Sequence, residues 1–222
     1  MTTFRKIAFI NNNFYHVFNR GVEKRPVFTS KKEYDRAISL IRFYQYVDTP
    51  VRYSQFLQKS YEEQISIMIN FMGKKTMVEI NAYSLMPNHF HFLLKQNTKG
   101  GISRFISLFT NSYTRYFNTK HNRIGPLFQG TFKAVFVEDD EQLLHLSRYI
   151  HLNPIVSSVV LIESLENHPY SSYQAYVSDK NDGITKKDLI SSMFQSKDSY
   201  RNFVHDQIHY SKELDKIKHL VF

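Results

Sequence analysis

The chain has 222 residues, a formal net charge of +9, 42% hydrophobic and 15% aromatic residues, and no cysteine. This composition excludes a disordered chain, a disulfide framework and a thiolate zinc site, and it fits a reducing compartment. No apolar stretch approaches membrane-spanning length, and Met1-Thr2-Thr3-Phe4-Arg5-Lys6 lacks a signal-peptide pattern, so a cytoplasmic protein without a membrane partner is expected. The positive balance favours partners with phosphate backbones. The 15 tyrosines and 19 phenylalanines suit stacking on unpaired bases, although most such rings belong to cores.

In chain order, residues 13–20 read as a first strand ended by Gly21. Ser30 is a helix N-cap candidate, and the helix runs to about Val47. Tyr53 to Met72 carries helical periodicity and reads as a helical insertion, within residues 48–75, ended by Gly73. Met77 to Leu85 and His89 to Gln96 are the second and third strands, joined by the turn former Pro87-Asn88. After Gly100-Gly101, Ile102 to about Lys120 is a helix with apolar positions at Phe105, Ile106, Phe109 and Tyr113. Phe128 to Val137 is a fourth strand, and a helix from Asp139 to Leu152 stops before Pro154. The order βαββαβ plus a further helix predicts an α+β, ferredoxin-like (RRM-like) antiparallel sheet. Two helices cover one face, and the extra helix crosses the other. The polar run Ser178 to Gly183 marks a boundary. It divides residues 1–178, the main domain, from 179–222, a small helical C-terminal extension.

The chemistry concentrates in two segments. In Met86-Pro87-Asn88-His89-Phe90-His91-Phe92, strand alternation turns both imidazoles to one face and Phe90 to the other. Two neutral imidazoles on one face are a natural pair of metal ligands. In Tyr149-Ile150-His151-Leu152-Asn153-Pro154, helical spacing places Tyr149 and Asn153 on one face. Tyr149 is the candidate nucleophile and Asn153 the candidate third ligand. The plainer alternatives are two satisfied strand histidines, a packed helix tyrosine, and an asparagine that ends its helix before a proline. Tyr113 and Tyr116 compete as nucleophiles, but their helix faces the covered side of the sheet. His151 faces away from Tyr149 and reads as structural. Imidazole and amide donors suit Mn2+, and Mg2+ binding is helped by substrate phosphate and water. Ligand type alone also admits Zn2+. Arg20, Lys24, Arg25, Arg115, Arg123 and Lys133 are candidate DNA contacts, against the alternative of a solvated basic surface.

Together these segments resemble the single-tyrosine HUH transposases (the IS200-like transposase domain), and most of all their REP-associated branch, the RAYT proteins of bacteria. Tyr15-His16-Val17-Phe18-Asn19-Arg20-Gly21, Gly125-Pro126-Leu127-Phe128-Gln129-Gly130-Thr131-Phe132-Lys133 and His168-Pro169-Tyr170-Ser171-Ser172-Tyr173 carry the same resemblance, which covers roughly residues 13–176. It implies a metal-dependent single-stranded DNA transposase and endonuclease. In that family the tyrosine attacks a DNA phosphate, giving a 5′-phosphotyrosine link and a free 3′-hydroxyl at hairpin-forming repeat DNA. Relatives outside the RAYT branch carry glutamine four residues after the tyrosine, where this chain has Asn153. The resemblance further implies Mg2+ or Mn2+, a single-stranded or hairpin DNA partner, a monomer or homodimer, and a bacterial cytoplasm with nucleoid association. Three other readings compete. A non-catalytic single-strand-binding module would not need the histidine pair or Tyr149. A water-using hydrolase would cleave without an adduct. A basic structural protein would bind without cleaving.

Overall fold

The computed structural model describes residues 8–71 and 73–208. Alternation and turn chemistry build its sheet. β1 (Phe14–Arg20), β2 (Val78–Met86), β3 (His89–Gln96) and β4 (Lys133–Phe136) are antiparallel, in the order β2-β3-β1-β4. This is the ferredoxin-like α+β arrangement expected from the element order. β3 is central, and its residues divide by parity as a strand requires. Phe90, Phe92 and Leu94 enter one core, which is covered by α1 (Lys31–Tyr44) and α4 (Gly101–Lys120). Leu93 enters a second core on the other face, under α5 (Asp140–Val156). His89 and His91 share the α5 side with Leu93.

The turn between β2 and β3 is locked to the end of β1. The Pro87 carbonyl accepts from the Val27 and Phe28 amides at 2.7 and 3.0 Å, and the Gly21 amide donates to the Asn88 carbonyl at 2.8 Å. A Cβ at Gly21 would lie 2.3 Å from the Arg25 carbonyl, so the chain can pass here only as glycine. These bonds hold the start of β3, and with it His89, against the rim of the sheet.

Four element boundaries differ from the sequence reading. The insertion forms two helices, α2 (Tyr53–Phe56) and α3 (Tyr61–Phe71), instead of one. Ser60 and Glu63 start a new helix between them, each side chain bonding the other's amide at 3.3 and 3.0 Å. α1 ends at Tyr44, short of Val47. Residues 127–129 bond back to Arg20 and Val22 before Gly130 turns the chain at φ +43°, which delays β4 to Lys133. α5 continues through Pro154 to Val156. Proline removes one amide, but the Ser157 amide still reaches the Asn153 carbonyl and the Val159 amide the Pro154 carbonyl, while Ile155 is buried. Asn153 therefore lies inside the helix.

The face crossed by α5 is closed further by α6 (Tyr173–Val177) and α8 (Lys197–His205); α7 (Asp188–Ser191) lies between them in sequence and adds Ile190 to the same core. The C-terminal residues start by lying along β2. Thr185 pairs with Ile80, and Asn81 Nδ2 donates to the Lys186 carbonyl at 2.8 Å. Tyr200 then packs beneath α5. Residues 209–222 of the expected extension lie outside the described residues.

Glu33 ties α1 to the end of α4. Its buried carboxylate accepts from Lys120 Nζ at 2.6 Å, His121 Nε2 at 2.7 Å and both the amide and hydroxyl of Thr29. Burial alone pushes this carboxyl up, but bonds from Lys120, Thr29 and His121 outweigh it and hold it down at about 2, against an ordinary 4.5. A depressed folded-state value adds stability that is full above 4.5 and is lost as pH falls toward 2. Glu33→Gln is expected to cost about 2–3 kcal/mol in urea unfolding at pH 7, with the gap to wild type closing by about pH 2. A gap that does not change with pH would contradict this.

Candidate active site

β1, β3 and α5 converge on a cavity of about 410 Å3. It is lined by Arg20, His89, His91, Lys133, Tyr149 and Asn153, with Gln129, Thr131 and Ser157 at its edges. Helical spacing explains the α5 side of this wall. Tyr149, Asn153 and Val156 recur at four and three residues, and Asp139 starts the helix by accepting from the Gln142 amide at 2.7 Å. The strand side comes from register. On β1, Arg20 lies opposite His89 and Phe18 opposite His91.

Tyr149 is 44% exposed, and its ring stands on edge to His91 and His16, with centroids 5.5 and 5.9 Å away. The hydroxyl-bearing side chain is therefore open to a ligand while its base is fixed between two imidazoles. Asn153 is buried and lines the same cavity as His89.

Each imidazole is oriented by a second group. Asn88 Nδ2 donates to the Lys24 carbonyl at 3.1 Å, which assigns its oxygen as the acceptor for His89 Nδ1 at 2.6 Å. The His89 proton then sits on Nδ1, and Nε2 keeps its lone pair. His91 Nδ1 lies 2.8 Å from His16 Nε2, with one proton between them. Burial pushes His16 and His89 down to about 4, with Arg20 adding to the effect at His89. Burial, then the neighbouring His16, His89 and Arg20, holds His91 well below its ordinary value. The rings are thus neutral near pH 7, the state a metal ligand needs.

This donor set fits a divalent cation. Two neutral imidazoles and an amide oxygen meet at one cavity, and each imidazole has its other nitrogen held by a neighbour, as metal-binding histidines generally do. Among the described residues there is no cluster of three His, Asp or Glu side chains placed to hold an ion, so Asn153 and a ligand's own oxygens would have to complete the shell.

His16 was not among the sequence candidates. Its signal was present, because alternation in Phe14–Arg20 puts His16 on the same face as Phe18 and Arg20. What was missing is the pairing of β1 with β3. His16→Ala should weaken Mn2+ binding by about 10–100-fold while leaving His89 and His91 in place, measured by titration calorimetry. Unchanged affinity would make His16 a packing residue only.

The other predicted positions separate. Tyr113 is buried on the opposite face and donates to the Val27 carbonyl at 2.5 Å; burial raises its hydroxyl far above the ordinary value. Tyr116 lies under Arg36 on that face, 4.5 Å from the guanidinium. His151 is buried, with Nδ1 2.7 Å from Tyr200 Oη and Nε2 2.7 Å from Ser172 Oγ. That serine–histidine pair is sealed from solvent and so is a structural bond and not a nucleophile. Arg20 and Lys133 line the cavity. Lys24 and Arg25 follow β1 and are not among the residues that line it; Arg25 pairs with Glu23 at 2.8 Å. Arg123 bonds Asn118 at 2.7 Å near the end of α4, and Arg115 lines a different cavity beyond that helix.

A solved structure of a REP-associated tyrosine transposase bound to a REP hairpin superposes with a TM-score of 0.50 at 16% identity, over 80% of this chain and 86% of that one. A candidate transposase from Deinococcus radiodurans R1 superposes with a TM-score of 0.37 at 14% identity, over 68% of this chain and 95% of that one. No protein of curated function matches the sequence. The family model described as "Transposase IS200 like" matches residues 42–153, half of the chain. The chain belongs to the IS200-like transposase family, and is a DNA-binding transposase with DNA-cleaving activity of that general kind. Among the described residues no helix is long and apolar enough to cross a membrane.

Proposed function

We propose that the chain cuts and joins single-stranded DNA at hairpin-forming repeats through a 5′-phosphotyrosine intermediate on Tyr149. The single observation that carries this reading is the half-exposed Tyr149 held on edge to His91 in one cavity with His89 and Asn153. Arg20 and Lys133 line the same cavity and suit a phosphodiester. The Tyr149 oxygen bonds to phosphorus as the P–O3′ bond breaks. The phenolic proton passes to solvent in the open cavity, and the 3′ oxygen leaves as a hydroxyl. Phosphoester energy stays in the tyrosine link, so a second strand's 3′-hydroxyl can reverse the step without a nucleotide cofactor.

His89, His91 and Asn153 would hold Mg2+ or Mn2+. The ion would supply Lewis-acid polarisation of the scissile phosphate and charge stabilisation at the leaving oxygen. The chain's own part is orientation. Asn88 and His16 fix the two imidazoles, and burial keeps them neutral. The hairpin substrate is supported by the solved relative, which is itself bound to a REP hairpin. A bacterial cytoplasmic protein acting at the nucleoid, as a monomer or homodimer, fits the same reading, as does a transposase unit of residues 1–178 carrying a C-terminal extension.

The test is an adduct assay. The protein is incubated with labelled single-stranded hairpin DNA from the repeats flanking its own gene, with Mg2+ or Mn2+, and run on a denaturing gel. A metal-dependent shifted protein–DNA band is expected. Cleavage without a band would mean water attack, and binding without cleavage over a broad hairpin set would mean a binding module.

A further inference from the structure

The catalytic cavity does not end at the sheet rim. Asn19 and Thr131 line it and also line a second groove of about 330 Å3, which runs along α4 past Thr110 and Thr114. Asn19 can serve both because it sits near the end of β1 and faces α4, while its neighbours Phe18 and Arg20 face the site. Asn111 in turn lines both that groove and a third cavity of about 870 Å3, between α1, α2 and α4. One path therefore leads over the rim and along the polar side of α4. From Ile106 to Arg115 it covers roughly 14 Å at the helical rise of about 1.5 Å per residue.

The far cavity is basic and aromatic. Arg36, Arg52 and Arg115 line it, together with Tyr53 and Tyr116, and no acidic side chain does. Among the described residues these three arginines form no ion pair. Lys120 is spent on Glu33. Arg36 stands between the two tyrosine rings, 5.2 and 4.5 Å from their centroids. Unpaired guanidinium groups beside tyrosines, reached by a groove that mixes hydroxyl and amide side chains with Phe128 and Phe132, are what a single-stranded nucleic acid binds.

We propose that this groove carries the single-stranded DNA flanking the cleavage point from the Tyr149 cavity to the Arg36–Arg52–Arg115 pocket. The proposal rests on the catalytic reading for its starting point. It also gives the insertion a task, since α2 and the residue before it supply Tyr53 and Arg52.

The test is fluorescence-anisotropy binding of labelled oligothymidylates of about 20 and about 5 nucleotides, and of a blunt duplex, over a range of salt concentrations. The variant is Arg52→Gln/Arg115→Gln, both exposed positions. The longer oligonucleotide should bind about tenfold more weakly, and its log–log salt slope should fall by about 1.4, two charges at roughly 0.7 each. The shorter one should bind as to wild type. Equal loss on both lengths, loss confined to the duplex, or no change in slope would each overturn the proposal. Adding Arg36→Gln should lower the slope further, and circular dichroism checks that the variants fold. Because binding is read without cleavage, an absent Tyr149 adduct would sink the catalytic reading while leaving this result standing.

Discussion

Tyr149→Phe is expected to abolish the covalent protein–DNA band and to slow cleavage by at least about 10^3-fold, with binding of the same DNA changed by less than about twofold. Removing the attacking oxygen deletes the bond-forming atom, and no second group restores it, so loss is near total and not graded. The variant should be as stable as wild type within about 0.5 kcal/mol, because the side chain is 44% exposed and its hydroxyl bonds no other side chain or backbone group among the described residues. Quench-flow or gel kinetics on labelled DNA, with thermal denaturation alongside, separates the two effects. Cleavage that survives in Tyr149→Phe would move the chemistry to a water nucleophile, and Tyr113 would not be the substitute, since it is sealed in the opposite core.

His89→Ala is expected to weaken Mn2+ binding by about 100-fold or more and to remove cleavage at micromolar metal, with partial recovery at high metal concentration. It deletes an imidazole that lines the cavity and whose Nδ1 is held by Asn88. It is a cleaner test than His91→Ala, which also strands the half-buried His16 and adds a stability loss of about 1–3 kcal/mol. Calorimetric Mn2+ titration of the protein without DNA checks the point. An unchanged titration in His89→Ala would place the cation elsewhere.

Both expectations rest on residues that were visible in the primary structure, for reasons local to the chain. The alternation of His89, Phe90 and His91 assigns faces with no knowledge of the neighbours, because side chains in any strand alternate. The four-residue step from Tyr149 to Asn153 does the same for a helix face. The element order βαββαβ implied the ferredoxin-like sheet, which the strand order β2-β3-β1-β4 matches. Asn153 was ambiguous in sequence because a residue before proline commonly closes a helix. Here α5 runs on to Val156, since buried Ile155 and rescued carbonyls offset the missing amide. The insertion reads as one helix in sequence, although Ser60 and Glu63 form a new helix start within it. Its apolar periodicity ran across the break and hid it.

Arg115 shows the other limit. It stands in sequence with Arg20 and Lys133 as a basic candidate DNA contact, and α4 carries it to a cavity beyond the sheet. His16 shows the converse, a residue overlooked because its value comes from a strand 75 positions away. By itself the sequence determined which atoms can do chemistry and which of them share a face, because those are properties of local backbone geometry. Only the tertiary structure decided which faces meet: His16 behind His91, Tyr149 across from both, and the groove that turns the sheet rim at Asn19. Those meetings are set by strand pairing and by burial of two cores, both of which are cooperative outcomes of the whole chain and not of any one segment.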